Sequence, residues 1–99
     1  MKKFVIKADI RVKEDLKESK DFFESRRKGL GNKFINEYRE LLASLKINPF
    51  YEVRYNEVRC LPFKIFPLMI HFKIDEELQI VSVIAVISTH QNPDDKWAW

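Results

Sequence analysis

The sequence predicts a small α+β domain in which a hairpin of two antiparallel helices covers one face of a mainly antiparallel four-stranded sheet. Residues 66–74 alternate apolar and polar side chains, as a half-buried strand does, and residues 34–45 carry apolar side chains at helical spacing. Residues 80–87 form an apolar run that is typical of a central strand. The predicted element order is β-α-α-β-β-β, within one domain spanning residues 1–99.

The chain opens with residues 3–8, in which apolar and polar side chains alternate, so they predict the first strand. From about Arg11 the apolar residues recur at helical spacing instead, and Asp9 just before them is a favourable helix N-cap. This first helix places Phe22 and Phe23 on its apolar face, where we expect both in the core.

The first helix ends in the sequence RRKGLG, where three adjacent cations, Arg26, Arg27 and Lys28, precede two glycines. Cations stabilise the last turn of a helix through its dipole, and glycine adopts the left-handed turn that often follows. Three adjacent cations are more than a helix end requires, so a role in binding a phosphate or a partner stays open.

The second helix is the clearest element. Its apolar residues follow an uninterrupted helical series, and Asn48-Pro49 ends it. Because only a short glycine turn joins the two helices, they must lie antiparallel. The members of the series are Phe34, Ile35, Tyr38, Leu41, Leu42 and Leu45.

Residues 58–74 predict two neighbouring strands that are separated at residues 64–66. On the second of these strands His71 and Lys73 alternate with the apolar residues, so they lie on the face away from the core. We expect that face, which the helices do not cover, to carry the function. After the last strand Pro93 prevents further pairing.

Composition limits the class of protein. Eighteen Lys and Arg against fifteen Asp and Glu leave a net charge of +3, which permits contact with nucleic acid or with an acidic protein.

Cys60 is the single cysteine, so it is expected to be a buried structural thiol without a disulfide or a thiolate metal cluster. We expect neither metal nor cofactor. No run suits a membrane span or a secretory signal, which indicates a cytoplasmic protein.

Two motifs in this chain resemble the RelE/ParE superfamily of toxins from bacterial type II toxin–antitoxin modules, and the ParE-like branch in particular. The first is FFESRRKGLGNKFINEYRELLASLKINP, with an aromatic pair, a basic Gly-Leu-Gly turn and a closing Asn-Pro. The second lies in the predicted hairpin. The resemblance covers roughly residues 16–97, and the hairpin residues that match are Val58, Arg59, Leu61, Phe66, Pro67 and Ile70 to Phe72.

The resemblance implies a toxin that is neutralised by a cognate antitoxin and forms an oligomer with it. In the family the toxin acts either by binding DNA gyrase or by cutting messenger RNA in the ribosomal A site. The chain would therefore be a metal-free endoribonuclease if it is RelE-like, and no enzyme if it is ParE-like. A degenerate toxin that only binds its antitoxin is a third possibility.

The C-terminal segment departs from the family. Relatives commonly have His-x-Ser-Arg-Asn-Pro followed by Trp, where this chain has STHQNP and then Trp97. The usual His and Arg are both absent. His90 lies two residues beyond the usual site, on the same face of a continuing strand, and Gln91 cannot replace a guanidinium. These differences favour gyrase binding over RNA cleavage.

A ribonuclease of this kind needs a base for the 2′-hydroxyl, cations at the scissile phosphate and an acid for the leaving oxygen. The catalytic candidates are Arg59, Lys64, His71 and His90, and either imidazole could act as base or acid near pH 7. For each histidine a structural role is the alternative, and for Arg59 the alternative is an ion pair with Glu57 or an acidic helix residue.

The candidates for binding the target or antitoxin are Arg26, Arg27, Lys28, Arg59, Lys73 and Trp97, of which Trp97 could instead pack against the core.

Overall fold

A computed structural model describes residues 3–88 of the chain, in which two helices pack on one face of a five-stranded sheet. The strands lie in the order β1-β5-β4-β3-β2, with β1 parallel to β5 and every other pair antiparallel. The predicted α+β architecture is therefore confirmed. The elements are β1 Val5–Ala8, α1 Ile10–Arg26, α2 Leu30–Ile47, β2 Val53–Tyr55, β3 Val58–Pro62, β4 Leu68–Asp75 and β5 Ile80–Ser88.

The prediction of four strands is wrong, because the segment after Pro49 contains the short strand β2. A two-residue turn joins β2 to β3, and both of its residues, Asn56 (φ 37°) and Glu57 (φ 64°), are left-handed. Two-residue hairpin turns of this kind usually have the sequence Asn-Gly. Here Asn56 fits this pattern, but Glu57 occupies the position where glycine is usual. The local sequence therefore did not predict the hairpin.

Both predicted helices are present with the predicted ends. The Asp9 carboxylate accepts a hydrogen bond from the backbone N–H of Arg11 (2.9 Å) and so caps α1, while Asn48 caps the C-terminal end of α2. Gly29 provides the left-handed turn between the helices (φ 89°). None of the described helices has the length and apolar character needed to cross a membrane.

The core lies between the helices and the sheet, and a cluster of aromatic rings fills one end of it. Phe34 is fully buried, with ring centroids 5.5 Å from Phe23, 5.2 Å from Phe63 and 5.4 Å from Phe66. The expectation that Phe22 is also in the core is wrong, since its side chain is 51% exposed. Adjacent residues of a helix point about 100° apart, so only Phe23 of this pair faces the sheet.

Three helical carboxylates accept hydrogen bonds from backbone N–H groups of connections or strands. Asp15 accepts from Val86 (3.1 Å), beside the irregularity in β5 where Ile84 has no partner on β4. Glu24 accepts from the turn between the helices, and Glu37 accepts from the turn between β3 and β4. These bonds attach each helix to a particular part of the remaining chain.

Candidate functional site

The register of β3 and β4 decides which candidate side chains share a face of the sheet. Arg59 pairs with Phe72, and Cys60 pairs with His71. Because neighbouring residues of a strand point to opposite faces, Arg59 lies on the face that the helices cover, with Phe72. His71 lies on the other side, which we call the helix-free face. The structure thus separates two of the predicted catalytic residues by the thickness of the sheet.

Arg59 stabilises the connection between α2 and β2. Its guanidinium donates a hydrogen bond from Nη1 to the carbonyl oxygen of Tyr51 (2.9 Å) and lies 5.6 Å from the centroid of the Phe50 ring. The ion pairs within residues 3–88 are Arg11 with Asp9 and Lys17 with Asp21, so Arg59 has no carboxylate partner among them. The predicted alternative for Arg59, an ion pair, is not observed in that part of the chain.

His71 is buried on the helix-free face, with 4% of its surface exposed. Its Nδ1 lies 3.0 Å from the hydroxyl oxygen of Tyr55 and 3.4 Å from Sγ of Cys60. The hydroxyl and the thiol are both donors, so we assign Nδ1 as the unprotonated, accepting nitrogen. We call Tyr55, Cys60 and His71 the buried polar cluster.

The environment of this cluster keeps all three side chains uncharged at neutral pH. Burial, with a smaller contribution from the nearby Arg54 cation, lowers the pKa of His71 to about 4. Burial also raises the pKa of the Tyr55 hydroxyl and of the Cys60 thiol. The expectation that both forms of His71 are accessible near pH 7 is therefore wrong, whereas the expectation of a buried Cys60 is confirmed.

Exposed cations lie on strands β1, β2 and β4, and Arg54 is the one that acts on the buried polar cluster. Lys73 is exposed on β4, and its neighbour across the strands is Ser82, which also pairs with Lys7 of β1. Arg54 of β2 is close enough to influence the pKa of both His71 and Cys60. We call Lys7, Arg54 and Lys73 the basic rim. Of the predicted binding candidates on the hairpin, Lys73 lies on the helix-free face and Arg59 lies on the opposite face.

Lys64 belongs to a different part of the surface. Its backbone N–H donates to Oε2 of the buried Glu37 (2.6 Å), and Ile65 donates to Oε1 of the same carboxylate (3.4 Å). Lys64 and Lys33 line a surface cavity of about 420 Å³ together with Gly29. Lys64 therefore lies beside the start of α2, close to the turn between the helices.

The turn between the helices presents its three predicted cations to solvent. The guanidinium carbon of Arg26 lies 4.9 Å from the centroid of the Phe22 ring. The carboxylate of Glu24 accepts hydrogen bonds from the N–H groups of Gly29 (3.0 Å) and Gly31 (3.0 Å), and these bonds lower its pKa. Glu24 thus occupies the N-terminal end of α2, where an external anion would otherwise bind.

Four residues that shape these surfaces were missed in the sequence: Glu24, Glu37, Arg54 and Tyr55. Glu24 accepts from the turn that follows its own helix, and Glu37 accepts from a turn that is distant in the sequence. Helical periodicity does not mark either contact. Asn56, a frequent turn residue, was the one local signal for the strand that carries Arg54 and Tyr55.

No group of three metal-ligating side chains able to hold an ion occurs within residues 3–88. His90, Gln91 and Trp97 lie outside the described residues.

The element order, the helical hairpin on one face and the parallel pairing of β1 with β5 define a RelE/ParE-like α+β fold. A chain of a solved structure described as "Chromosomal ParDE TA system from P. aeruginosa" superposes on it with a TM-score of 0.73. The alignment covers 86% of this chain and 95% of that chain, at 14% sequence identity. No protein-family model matches the sequence, and no curated protein is significantly similar to it. The likeness confirms the predicted resemblance at the level of the fold.

Proposed function

We propose that this chain is the toxin of a type II toxin–antitoxin module, is neutralised by a cognate antitoxin and acts by binding DNA gyrase. The similarity of the fold to a chain of the ParDE system supports the toxin class. The observation that supports binding over catalysis is the separation of Arg59, Lys64 and His71 on three different parts of the molecule. Both partners lie in the bacterial cytoplasm, where we place this chain as well.

RNA cleavage without a metal requires an acid, a base and a cation within hydrogen-bond reach of one phosphodiester. The imidazole of His71 is buried and uncharged at pH 7, so it cannot act there as the acid, and its low pKa makes it a weak base. The guanidinium of Arg59 already binds the Tyr51 carbonyl on the opposite face. These contacts disfavour a ribonuclease site built from the hairpin.

The basic rim is the surface that best suits a binding function. Lys73 lies two residues after His71 on β4, and Arg54 directly precedes Tyr55 on β2, so the face combines exposed cations with an uncharged polar cluster. We assign Lys73 to the gyrase or the antitoxin interface, and we retain Trp97 as a candidate for the same role. An acidic segment of the partner would complement this rim.

Expression without the antitoxin tests the toxin class, and a supercoiling assay with the purified protein tests the target. We expect growth arrest, loss of gyrase supercoiling and accumulation of cleaved DNA. The double variant Arg54→Glu/Lys73→Glu should weaken the inhibition about tenfold or more, whereas the exposed pair Lys3→Glu/Lys13→Glu, with the same change in charge, should not. Normal supercoiling at saturating folded protein would rule out the proposed target.

Two other outcomes correspond to the alternatives. New messenger RNA ends that map to the A site in a translating extract, with gyrase unaffected, would establish the endoribonuclease, for which His90 is the remaining histidine. Co-purification with the antitoxin but no growth arrest would indicate a degenerate toxin that only binds its partner.

A further inference from the structure

We propose that the end of the molecule formed by the turn between the helices and the turn between β3 and β4 binds the phosphate backbone of duplex DNA. This surface, which we call the turn surface, is distinct from the basic rim. The inference goes beyond the proposed function, because it concerns DNA itself and needs neither gyrase nor antitoxin. The cations of the turn surface are Arg26, Arg27, Lys28, Lys33 and Lys64.

The structure brings these cations together from distant parts of the sequence. Lys64 follows Lys28 by more than thirty residues, yet it lines the same cavity as Gly29, the residue next to Lys28. All five cationic side chains are exposed, and none takes part in the ion pairs formed within residues 3–88. Five exposed cations, from the two turns and the adjoining ends of α1 and α2, therefore lie at one end of the molecule.

Two of the carboxylates near these cations are engaged with the backbone. Glu24 accepts from the N–H groups of Gly29 and Gly31, and Glu37 accepts from those of Lys64 and Ile65. Each carboxylate thereby holds the backbone of one cationic turn in place. A partner that binds here meets cations on turns that are already ordered, which lowers the entropic cost of binding.

The composition of the turn surface favours phosphate contacts over a protein partner. Protein interfaces depend on apolar or aromatic anchors that enter pockets, whereas among residues 3–88 the cavity between the turns has Ile65 as its single large apolar lining residue. Its other side chains include the amides of Asn32 and Asn36, which, like Lys and Arg, bind phosphate oxygens. This is the donor set of a surface that tracks a nucleic-acid backbone.

The described residues of this surface present no open aromatic ring for base stacking, which favours duplex over single-stranded DNA. Single-strand sites combine cations with aromatic rings on which bases stack. Within the part of the chain that the structure describes, the cavity has no aromatic lining residue, and the nearby ring of Phe22 has the guanidinium of Arg26 over it at 4.9 Å. Glu40 also lines the cavity, and its exposed carboxylate would repel phosphate, so it limits the affinity.

Fluorescence anisotropy with a labelled duplex of about 20 base pairs, in the absence of gyrase, tests the proposal. If about four phosphates are contacted, binding should weaken about 100-fold between about 50 and about 200 mM salt. Arg27→Glu/Lys28→Glu should weaken binding at least about tenfold at the lower salt concentration and reduce the salt slope by about two. Glu40→Gln should strengthen binding about twofold to threefold, because it removes a repulsive charge.

The matched control is again Lys3→Glu/Lys13→Glu, which changes the net charge equally at exposed positions away from the turns. It should alter the affinity by no more than about twofold. Equal weakening by both double variants would overturn the proposal, because it would indicate general charge attraction. Absence of duplex binding by folded protein, or tighter binding to the single strand, would also overturn it. None of these results affects the supercoiling test of the proposed function.

Discussion

On the helix-covered face, strands β3, β4 and β5 contribute apolar side chains that pack against aromatic rings of the helices, whereas on the helix-free face the same strands bury Cys60 and His71 beside the apolar Val58 and Ala85. Residues 59 and 60 show the contrast within a single step of β3. Arg59 points toward the helices and binds a carbonyl at the edge of the core, and Cys60 points away and contacts an imidazole. Burial alone therefore does not separate the two faces.

The difference teaches that both faces gain stability from buried apolar side chains, while the helix-free face adds a contribution from buried polar groups. Apolar contacts on the helix-covered face do not depend on protonation, so their contribution should be constant from neutral to mildly acidic pH. The buried polar cluster requires His71 to be neutral, so its contribution should depend on pH. Variants on either face can test this contrast, and the largest effect is expected in the core.

Phe34→Ala should lower the free energy of unfolding by about 3 to 5 kcal/mol, because it leaves a cavity among three aromatic rings. Denaturant unfolding measures the loss, which should be equal near pH 7 and near pH 5. If the variant does not fold, Phe34→Leu provides a smaller change of about 1 to 2 kcal/mol. A loss below about 1 kcal/mol for both variants would contradict the assigned role of the ring cluster.

His71 should make stability fall with acidity. Its pKa is about 4 in the folded chain against an ordinary value of 6.5, so between these values the unfolded chain binds a proton that the folded chain does not. This group should therefore remove up to about 3 kcal/mol of stability as the pH falls from 6.5 to 4, with little further change below that.

The comparison of wild type with His71→Asn isolates this contribution, because the other titrating groups are present in both proteins. Urea unfolding near pH 7 and near pH 4.5 should show a steeper loss of stability in the wild type by roughly 2 to 3 kcal/mol. Equal slopes for the two proteins would show that the imidazole binds its proton equally in the folded and the unfolded chain, so that burial does not lower its pKa.

Glu37→Gln tests one of the buried polar contacts that the helices make. The single oxygen of the amide can accept from the backbone N–H of Lys64 or of Ile65, but its NH₂ group then faces the other N–H. We therefore expect the free energy of unfolding to fall by about 1 to 3 kcal/mol. Amide hydrogen exchange at both turn residues should become faster. Glu40→Gln, an exposed change of the same kind one turn along α2, should stay within about 0.5 kcal/mol.

Glu57→Gly should stabilise the hairpin that carries Tyr55, because glycine adopts φ 64° without steric cost. We expect a gain of about 0.5 to 1 kcal/mol in the free energy of unfolding, measured with denaturant. Glu52→Gly is the control, since Glu52 is exposed and is not among the residues with positive φ. That change should lower stability, and a gain of equal size there would contradict the assigned strain at Glu57.

The elements that were predicted correctly are those whose signal lies within a few residues of sequence. The helical series from Phe34 to Leu45, the Asp9 cap and the alternation through β4 depend on local spacing, and all three are present. Strand β2 was missed because a three-residue strand has little periodicity and its turn lacks the usual glycine. Phe22 was misplaced because spacing alone gave it the same face as Phe23.

By itself the sequence determined the α+β class, the helical hairpin and the alternation that separates His71 from the core side of β4. Only the tertiary structure decided that His71 is buried with Tyr55, sixteen residues away, and that Glu37 holds a turn twenty-seven residues away. It also decided that Arg59 and His71 lie on opposite faces, since strand register depends on pairing between segments. Periodicity reports which side of its own element a residue occupies, and packing determines what it meets there.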